Sequence, residues 1–309
     1  MNKYVRVMRP DHWIKQLFIM PGCVFALLLA GSGLRLPVFA ARLVLALAAT
    51  CLVASANYVI NEWLDAEFDR FHPTKKFRSV VTEDVRGVVI WTMWAVLSAA
   101  GIALARAVGV PFALAAAVLW AMGILYNVRP FRTKDVPVLD VLSESLNNAI
   151  RLLLGWFVVS PHTLPPVSIV LGYWMGGAFL MAVKRYAEFR MIGDPALAGS
   201  YRRSFRFYTE RSLLVSAFFY AMCSTFFTGI FLVKYRIELV LFVPALMGLF
   251  CYYLHIAFKE DSAVQKPEKL YRERLLMAYC AALAVLFVVL MAADLPWLSA
   301  LSDDALISF

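Results

Sequence analysis

The stretch Leu52-Val-Ala-Ser-Ala-Asn57-Tyr-Val-Ile-Asn61-Glu62-Trp-Leu-Asp65-Ala-Glu67-Phe-Asp69-Arg70-Phe-His72-Pro73-Thr-Lys75-Lys76-Phe-Arg78 carries an apolar run directly into a row of amides, carboxylates and cations. Asn57, Asn61, Asp65 and Asp69 recur at every fourth position, so on a continuing helix they form one stripe. The run leading into them, residues 37–60, is long enough to cross hydrocarbon as a helix. A helix is the open-chain element that satisfies its own backbone hydrogen bonds there. Polar groups in line at the end of such a span are costly unless they are paired or bind a metal.

Working outward, further apolar runs fall at residues 17–33, 85–108, 110–126, 138–159, 167–187, 213–233, 239–258 and 275–295. Of the 309 residues 62% are hydrophobic and 17% charged, with a mean hydropathy of +0.71. Soluble domains are nearer half apolar and a quarter charged, which argues against a soluble enzyme. These runs predict an all-α integral membrane protein, a bundle of about nine transmembrane helices around a central cavity. No composition shift or repeat divides the chain, so residues 1–309 are read as a single transmembrane domain.

The net charge of +9 is distributed unevenly. The N-terminus and segments 61–86, 127–137, 184–212 and 259–274 hold 24 Lys and Arg, whereas the opposite side holds five: Arg35, Arg42, Arg106, Lys234 and Arg236. That is a positive-inside pattern and accounts for the basic excess without a nucleic-acid partner. It predicts a multi-pass protein of the cell (inner) membrane, with its N-terminus and its long working loops in the cytosol. The basic segment 1–16 and its following apolar run lack a small-residue cleavage site, so they read as a first span rather than a leader. Cys23, Cys51, Cys223, Cys251 and Cys280 lie scattered in apolar runs, which predicts small core residues rather than disulfides or metal ligands.

Oxygen-only donors such as Asn61, Asp65 and Asp69 select a hard cation, Mg²⁺ or Ca²⁺. Mg²⁺ is usually held by one or two carboxylates and completed by phosphate oxygens. The cations His72, Lys75, Lys76 and Arg78, just beyond, suit a phosphorylated ligand. A second stripe follows Tyr126, Asn127, Arg129, Arg132 and Lys134: Asp140, Glu144, Asn147, Asn148 and Arg151 again share a helical face. Arg151 lies inside a span, and it is expected to reach a carboxylate or a bound phosphate, the plainer alternative being a structural Glu144–Arg151 ion pair that locks two helices. Two oxygen-rich stripes on separate helices are what a metal-bridged diphosphate needs, because the metal neutralises charge on the departing group. A third cluster, Lys184-Arg185-Tyr186-Ala-Glu188-Phe-Arg190 with Arg202, Arg203, Arg206 and Arg211, holds more cations than orientation requires. It suits phosphate groups or anionic lipid headgroups. Near the N-terminus, Arg9-Pro10-Asp-His12-Trp13-Ile-Lys15 joins an aromatic interface anchor to cations.

Asn61-Glu62-x-x-Asp65-x-x-x-Asp69 resembles the N-D-x-x-D-x-x-x-D motif of the UbiA superfamily of membrane transferases, with Glu62 keeping the charge of the usual Asp. Tyr126-Asn127-x-x-Pro130-x-Arg132-x-Lys134 through Asp140 is similar to that family's second motif region. The resemblance implies a helical bundle with a cavity open sideways to lipid, holding a Mg²⁺-diphosphate between the two motifs. Within the superfamily, Arg9-Pro10-x-x-Trp13-x-Lys15, Asp69-Arg70-x-His72-Pro73-x-Lys75-x-x-Arg78 and Lys184-Arg185-Tyr186-Ala-Glu188 resemble the polyprenyl-phosphate phosphoribosyltransferases. Those enzymes carry 5-phosphoribose from 5-phosphoribosyl 1-diphosphate to a polyprenyl phosphate, an early step towards arabinan sugar donors of the cell wall. The resemblance implies Asn61, Asp65 and Asp69 as ligands of Mg²⁺ and diphosphate, with Asp140 and Glu144 as their counterparts in the second stripe. It implies Lys75 and Arg78 at a phosphate, and Lys184 and Arg185 at donor or lipid phosphate. The remaining expected substrate-binding residues are Asn57, Arg70, His72, Tyr126, Lys134, Asn148, Arg151, Arg9 and Lys15.

Three functions stay open on these residues. In the first, phosphoribosyl diphosphate is the donor and a membrane-borne polyprenyl phosphate the acceptor. The acceptor is already anionic, so positioning and cationic shielding replace a general base. In the second, a prenyl diphosphate donates to an aromatic or lipid acceptor with the same metal chemistry. The third, a transporter, fits less well, because the acids cluster at helix ends rather than at the bilayer midplane. Polyprenyl length and oligomeric state, a homo-oligomer included, are not legible.

Overall fold

The apolar run that enters the first motif folds as one helix of 34 residues, Leu36–Asp69. At 1.5 Å per residue it is about 51 Å long, against about 30 Å of hydrocarbon. The excess carries Asn61, Asp65 and Asp69 beyond the apolar layer while keeping them in helical register. The chain is described by a computed structural model over residues 2–301, except 32, 260–261, 266–269 and 271. Lys266 and Lys269 of the expected cytosolic loop, and residues 302–309 of the expected domain, lie outside the described residues.

In chain order the helices are α1 (Lys3–Val7), α2 (Met20–Leu29), α3 (Leu36–Asp69), α4 (Ser79–Thr82), α5 (Gly87–Val108), α6 (Val110–Asn127), α7 (Leu139–Val159), α8 (Val167–Ile192), α9 (Pro195–Tyr201), α10 (Glu210–Tyr235), α11 (Phe242–Ala257) and α12 (Arg274–Ala292). A 3₁₀ segment, Pro10–Ile19, joins α1 to α2. Prolines in the first turns of α2, α3, α6 and α9 occupy positions whose N–H has no helical partner. Thr209 and Ser212 form a reciprocal capping box at the start of α10.

Among the described residues, eight helical stretches are long and apolar enough to span a membrane, the first of them Lys3–Leu29. The ninth expected span, α7, does not meet that description because it carries Asp140, Glu144 and Arg151. It is an interior helix, packed against α2, α6 and α8, so its polar face meets protein rather than lipid. Gly22 and Gly155 permit the tightest of these contacts: a Cβ on Gly22 would lie 2.0 Å from the Leu152 carbonyl oxygen, and one on Gly155 1.8 Å from that of Ile19. Small residues at such crossings let helix backbones approach where lipid supplies no hydrophobic drive.

Apolar clusters fill the bundle on either side of α7, one around Ala49, Phe112, Leu119 and Leu154 and another around Phe179, Val183, Leu213 and Ile256. The outer surface is also apolar, with Val88, Leu114, Phe218 and Phe226 exposed, as a lipid-facing surface requires. The five cysteines are free, as expected, but their placement differs from a core assignment. Cys23 is buried, whereas Cys251 and Cys280 are exposed on that apolar exterior. In a membrane bundle an apolar run marks lipid exposure as readily as burial.

Candidate active site

Carboxylates and cations from α3, α7, α8 and the loops between them converge at one end of the bundle. Asp65 accepts from Arg132 Nη2 at 2.8 Å and from the Lys134 ammonium. Lys134 also donates to Asn127 Oδ1 at 2.7 Å, the same oxygen that takes the Asn61 amide at 2.5 Å. Arg132, at φ 29°, lies over the Phe68 ring at 4.8 Å and donates to Asp135 at 3.1 Å. Thus the loop between α6 and α7 is folded back onto the first stripe by its own cations. Burial pulls the Lys134 ammonium down to about 8, against the opposing attraction of Asp65.

Four residues further along α3, Asp69 accepts from Arg78 Nη1 at 2.7 Å. Arg78 also stands 3.6 Å from Glu62, which in turn takes Arg9 at 3.2 Å. Burial disfavours the Arg78 charge, but Asp69 and Glu62 outweigh it and hold the guanidinium above its ordinary value. Lys15 approaches His12 Nδ1 at 3.1 Å, and Trp13 Nε1 donates to Ser55 at 2.9 Å. The N-terminal segment is thereby fastened along α3.

The second stripe meets the third cluster. Glu144 accepts from Tyr126 at 2.8 Å, from Lys184 at 3.5 Å and from Arg185. Arg185, only 1% exposed, also bonds Glu188 at 3.2 Å and lies 3.6 Å from Asp140. Asp140 is fully buried and accepts from Ser204 at 3.0 Å and Tyr208 at 2.7 Å. The Tyr208 hydroxyl also accepts from the Val138 N–H at 2.6 Å. That bond helps hold Val138 at φ 68°, a conformation costly for a β-branched residue. The two stripes are joined through Tyr126: its ring lies 5.7 Å from the Lys134 ammonium, and its hydroxyl bonds both Glu144 and, at 3.2 Å, Arg202.

Sequence reading left Glu188 and Tyr201 out of the site, yet they close its loops. Glu188 accepts from Lys75 at 2.7 Å, Tyr201 at 3.1 Å and Arg185, with His72 Nε2 3.2 Å away. His72 Nδ1 accepts the backbone N–H groups of Thr74 and Lys75, both at 3.2 Å. The ring proton therefore sits on Nε2, facing Glu188. Burial holds His72 below its ordinary value despite Glu188, and burial likewise lowers Lys75. Glu188 lies within the Lys184–Arg190 cluster, but nothing in spacing indicated that it would meet residues more than a hundred positions away. Arg132, Asn127 and Arg202 were visible as charge or amide without a partner to assign.

Not every expected residue faces this cluster. Asn57 donates to the Leu119 carbonyl at 2.8 Å, and its carboxamide fills the notch left by Gly123, where a Cβ would lie 2.1 Å away. Arg70 is exposed at the end of α3. Arg151 does not reach Glu144: it donates to Gln16 Oε1 at 2.9 Å and meets Asn148 Oδ1 at 3.4 Å. Glu144 and Arg151 are seven residues apart, about 10 Å along the helix axis, beyond ion-pair reach. Arg185 and Lys184 take the carboxylate instead.

The paired groups leave a cleft of about 10 Å³ lined by Asp65, Phe68, Arg132, Lys134, Asp135, Tyr201 and Arg202. Among the described residues no group of three His, Cys, Asp or Glu side chains forms a ready-made ion cage. The donor set still fits a hard cation: Asp65 and Asp69 on one helical face, with the Asn61 carboxamide beside them, supply oxygen alone. Their present cation partners are groups that an incoming polyanion could draw away.

A helical membrane bundle with this paired-stripe site defines an intramembrane transferase architecture. Residues 19–275 match the UbiA prenyltransferase family, and the chain belongs to it. It is therefore a multi-pass membrane protein. It is 29% identical over 211 residues to the decaprenyl-phosphate phosphoribosyltransferase of Mycolicibacterium smegmatis, a match covering 68% of this chain and 63% of that protein. The protein of the same name from Mycobacterium tuberculosis is 28% identical over 211 residues, covering 68% and 67%. The matched part is thus just under two thirds of the length of the Mycolicibacterium smegmatis relative. A UbiA homolog from Archaeoglobus fulgidus, solved bound to GPP and Mg²⁺, has a TM-score of 0.69 at 21% identity, covering 91% of this chain and 99% of that one. That likeness establishes the fold.

Proposed function

We propose that this protein transfers 5-phosphoribose from 5-phosphoribosyl 1-diphosphate to a polyprenyl phosphate, releasing diphosphate, with Mg²⁺ as the metal. The observation that carries this reading is the concentration of cations on the acidic stripes. Arg9, Lys75, Arg78, Arg132, Lys134, Lys184, Arg185 and Arg202 each lie within 4 Å of a carboxylate of the cluster. A prenyl diphosphate brings one diphosphate. A phosphoribosyl donor with a phosphorylated acceptor brings three separate phosphate-bearing ends, and the cation supply matches the larger demand. The names of the relatives favour the same choice.

Asp65, Asp69 and Asn61 would hold Mg²⁺, which when bound neutralises charge on the departing diphosphate. In the transfer, the bond from the anomeric carbon to diphosphate oxygen breaks with its electron pair leaving on oxygen. An acceptor phosphate oxygen forms the new bond to that carbon. No proton is taken up or released, so the residues act by binding and orientation. Lys134 and Arg132 sit where they can exchange Asp65 for diphosphate oxygens. Glu144 keeps Lys184 and Arg185 in place for a second phosphate, while Tyr201 and Arg202 line the cleft beside Asp65.

The test uses purified protein in detergent micelles with both donor–acceptor pairs. Label should pass from phosphoribosyl diphosphate to polyprenyl phosphate, and only with Mg²⁺ present. Transfer from a prenyl diphosphate to an aromatic acid, with none from the phosphoribosyl donor, overturns the reading in favour of a prenyltransferase.

A further inference from the structure

Once the ion pairs of the polar end are assigned, Arg151 is left without a carboxylate within ion-pair distance among the described residues. Asp65, Asp69, Glu144, Asp140, Glu188 and Glu62 each have a cation within 4 Å. Arg151 sits about 10 Å deeper along α7 than Glu144, and among the described residues its guanidinium meets only the neutral oxygens of Gln16 and Asn148. Gln16 is 0% exposed, and its amide Nε2 has no hydrogen-bond partner. A fully buried amide donor beside a cation without a counter-ion is an arrangement that solvation penalises on both counts. Both deficits are met by one group: an anion with more than one acceptor oxygen.

The surroundings restrict what kind of anion. Tyr58 and Tyr173 lie within electrostatic reach of Arg151, and Tyr173 bonds the Phe18 carbonyl at 3.4 Å. Gln16 belongs to the 3₁₀ segment Pro10–Ile19, in which Trp13, Ile14, Leu17 and Phe18 are all exposed apolar side chains. The same short segment therefore turns an unsatisfied amide donor inward and a hydrophobic face outward to lipid. An anionic headgroup on a long apolar tail fits both sides at once.

We infer that Arg151 and Gln16 Nε2, with Asn148 orienting the guanidinium, form a separate anion seat that binds the phosphomonoester headgroup of the membrane-borne acceptor. This rests on the proposed function for the identity of the acceptor but not for the existence of the seat. The other phosphomonoester available is the 5-phosphate of the donor, and the two sources are separable by kinetics.

The test measures KM for each substrate separately in Arg151→Met, Arg151→Lys and Gln16→Leu. Loss of a charge-assisted contact should raise KM for polyprenyl phosphate by about tenfold or more in Arg151→Met, with Lys restoring part. Gln16→Leu, close in volume, should raise it less, and KM for phosphoribosyl diphosphate should stay within about twofold throughout. A rise in donor KM instead would assign the seat to the 5-phosphate and overturn the inference, as would unchanged KM values for both. If wild-type protein shows no turnover with this pair, the proposed function fails but the seat is still testable by binding. Farnesyl phosphate, followed by ³¹P NMR in micelles, should bind wild type and not Arg151→Met, whereas ribose 5-phosphate should not distinguish them. Equal binding of farnesyl phosphate by both proteins overturns the seat.

Discussion

At the residue scale, the site is built by pairing each acid with cations drawn from elsewhere in the chain. Asp65 lies four residues from Asn61 and four from Asp69, but its partners Arg132 and Lys134 come from a different loop. The spacing by four made the stripe readable because helical geometry depends only on local sequence. The partners were not readable, since a contact across 67 or 69 residues leaves no periodic trace. Asp65→Asn keeps shape and hydrogen-bonding capacity while removing the charge. We expect it to lower turnover by about a hundredfold or more with helix content unchanged by circular dichroism. Wild-type rates in that variant would remove Asp65 from the metal and diphosphate site.

At the element scale, the loop after α3 is held down by His72 and Lys75 converging on Glu188 of α8. His72 is kept neutral below its ordinary value of 6.5. Below that value the unfolded chain binds a proton that the folded ring resists, so the ring's contribution is present at higher pH and lost as pH falls. Proteolytic cleavage within residues 70–78 should therefore be faster at about pH 5.5 than at about pH 7.5. His72→Gln should flatten that dependence, and an undiminished pH response in the variant would show that another group is responsible. Nothing in the local pattern set this anchor. The segment reads as a cationic loop, and only its meeting with α8 makes it a buried junction.

At the scale of the whole molecule, the polar end has one orientation relative to the charge asymmetry. All of the paired site lies on the side whose segments carry 24 of the 30 Lys and Arg, and by the positive-inside pattern we expect that side to face the cytosol. Orientation can be tested on a cysteine-free background with a single Cys at Arg70 or at Gly109. In intact cells an impermeant maleimide should label the Gly109→Cys protein and spare Arg70→Cys, and the reverse pattern would invert the topology. The bundle also explains why α7 departs from the other spans. A helix surrounded by α2, α6 and α8 is free to carry Asp140, Glu144 and Arg151, whereas a lipid-facing helix is not.

By itself the sequence determined the helical membrane class, the uneven distribution of Lys and Arg between the two sets of loops, and the two oxygen-rich stripes. Each of these follows from hydropathy, charge counts or helical spacing along a continuous segment. The tertiary structure alone decided that Glu144 pairs with Arg185 rather than Arg151, that Glu188 and Tyr201 close the loops, and that Gln16 faces Arg151. It also decided that Asn57 fastens α3 to α6 and that Cys251 and Cys280 face outward. Those outcomes depend on which helix faces which, and helix facing is set by packing of distant segments such as the Gly22–Gly155 crossing, which no single stretch encodes.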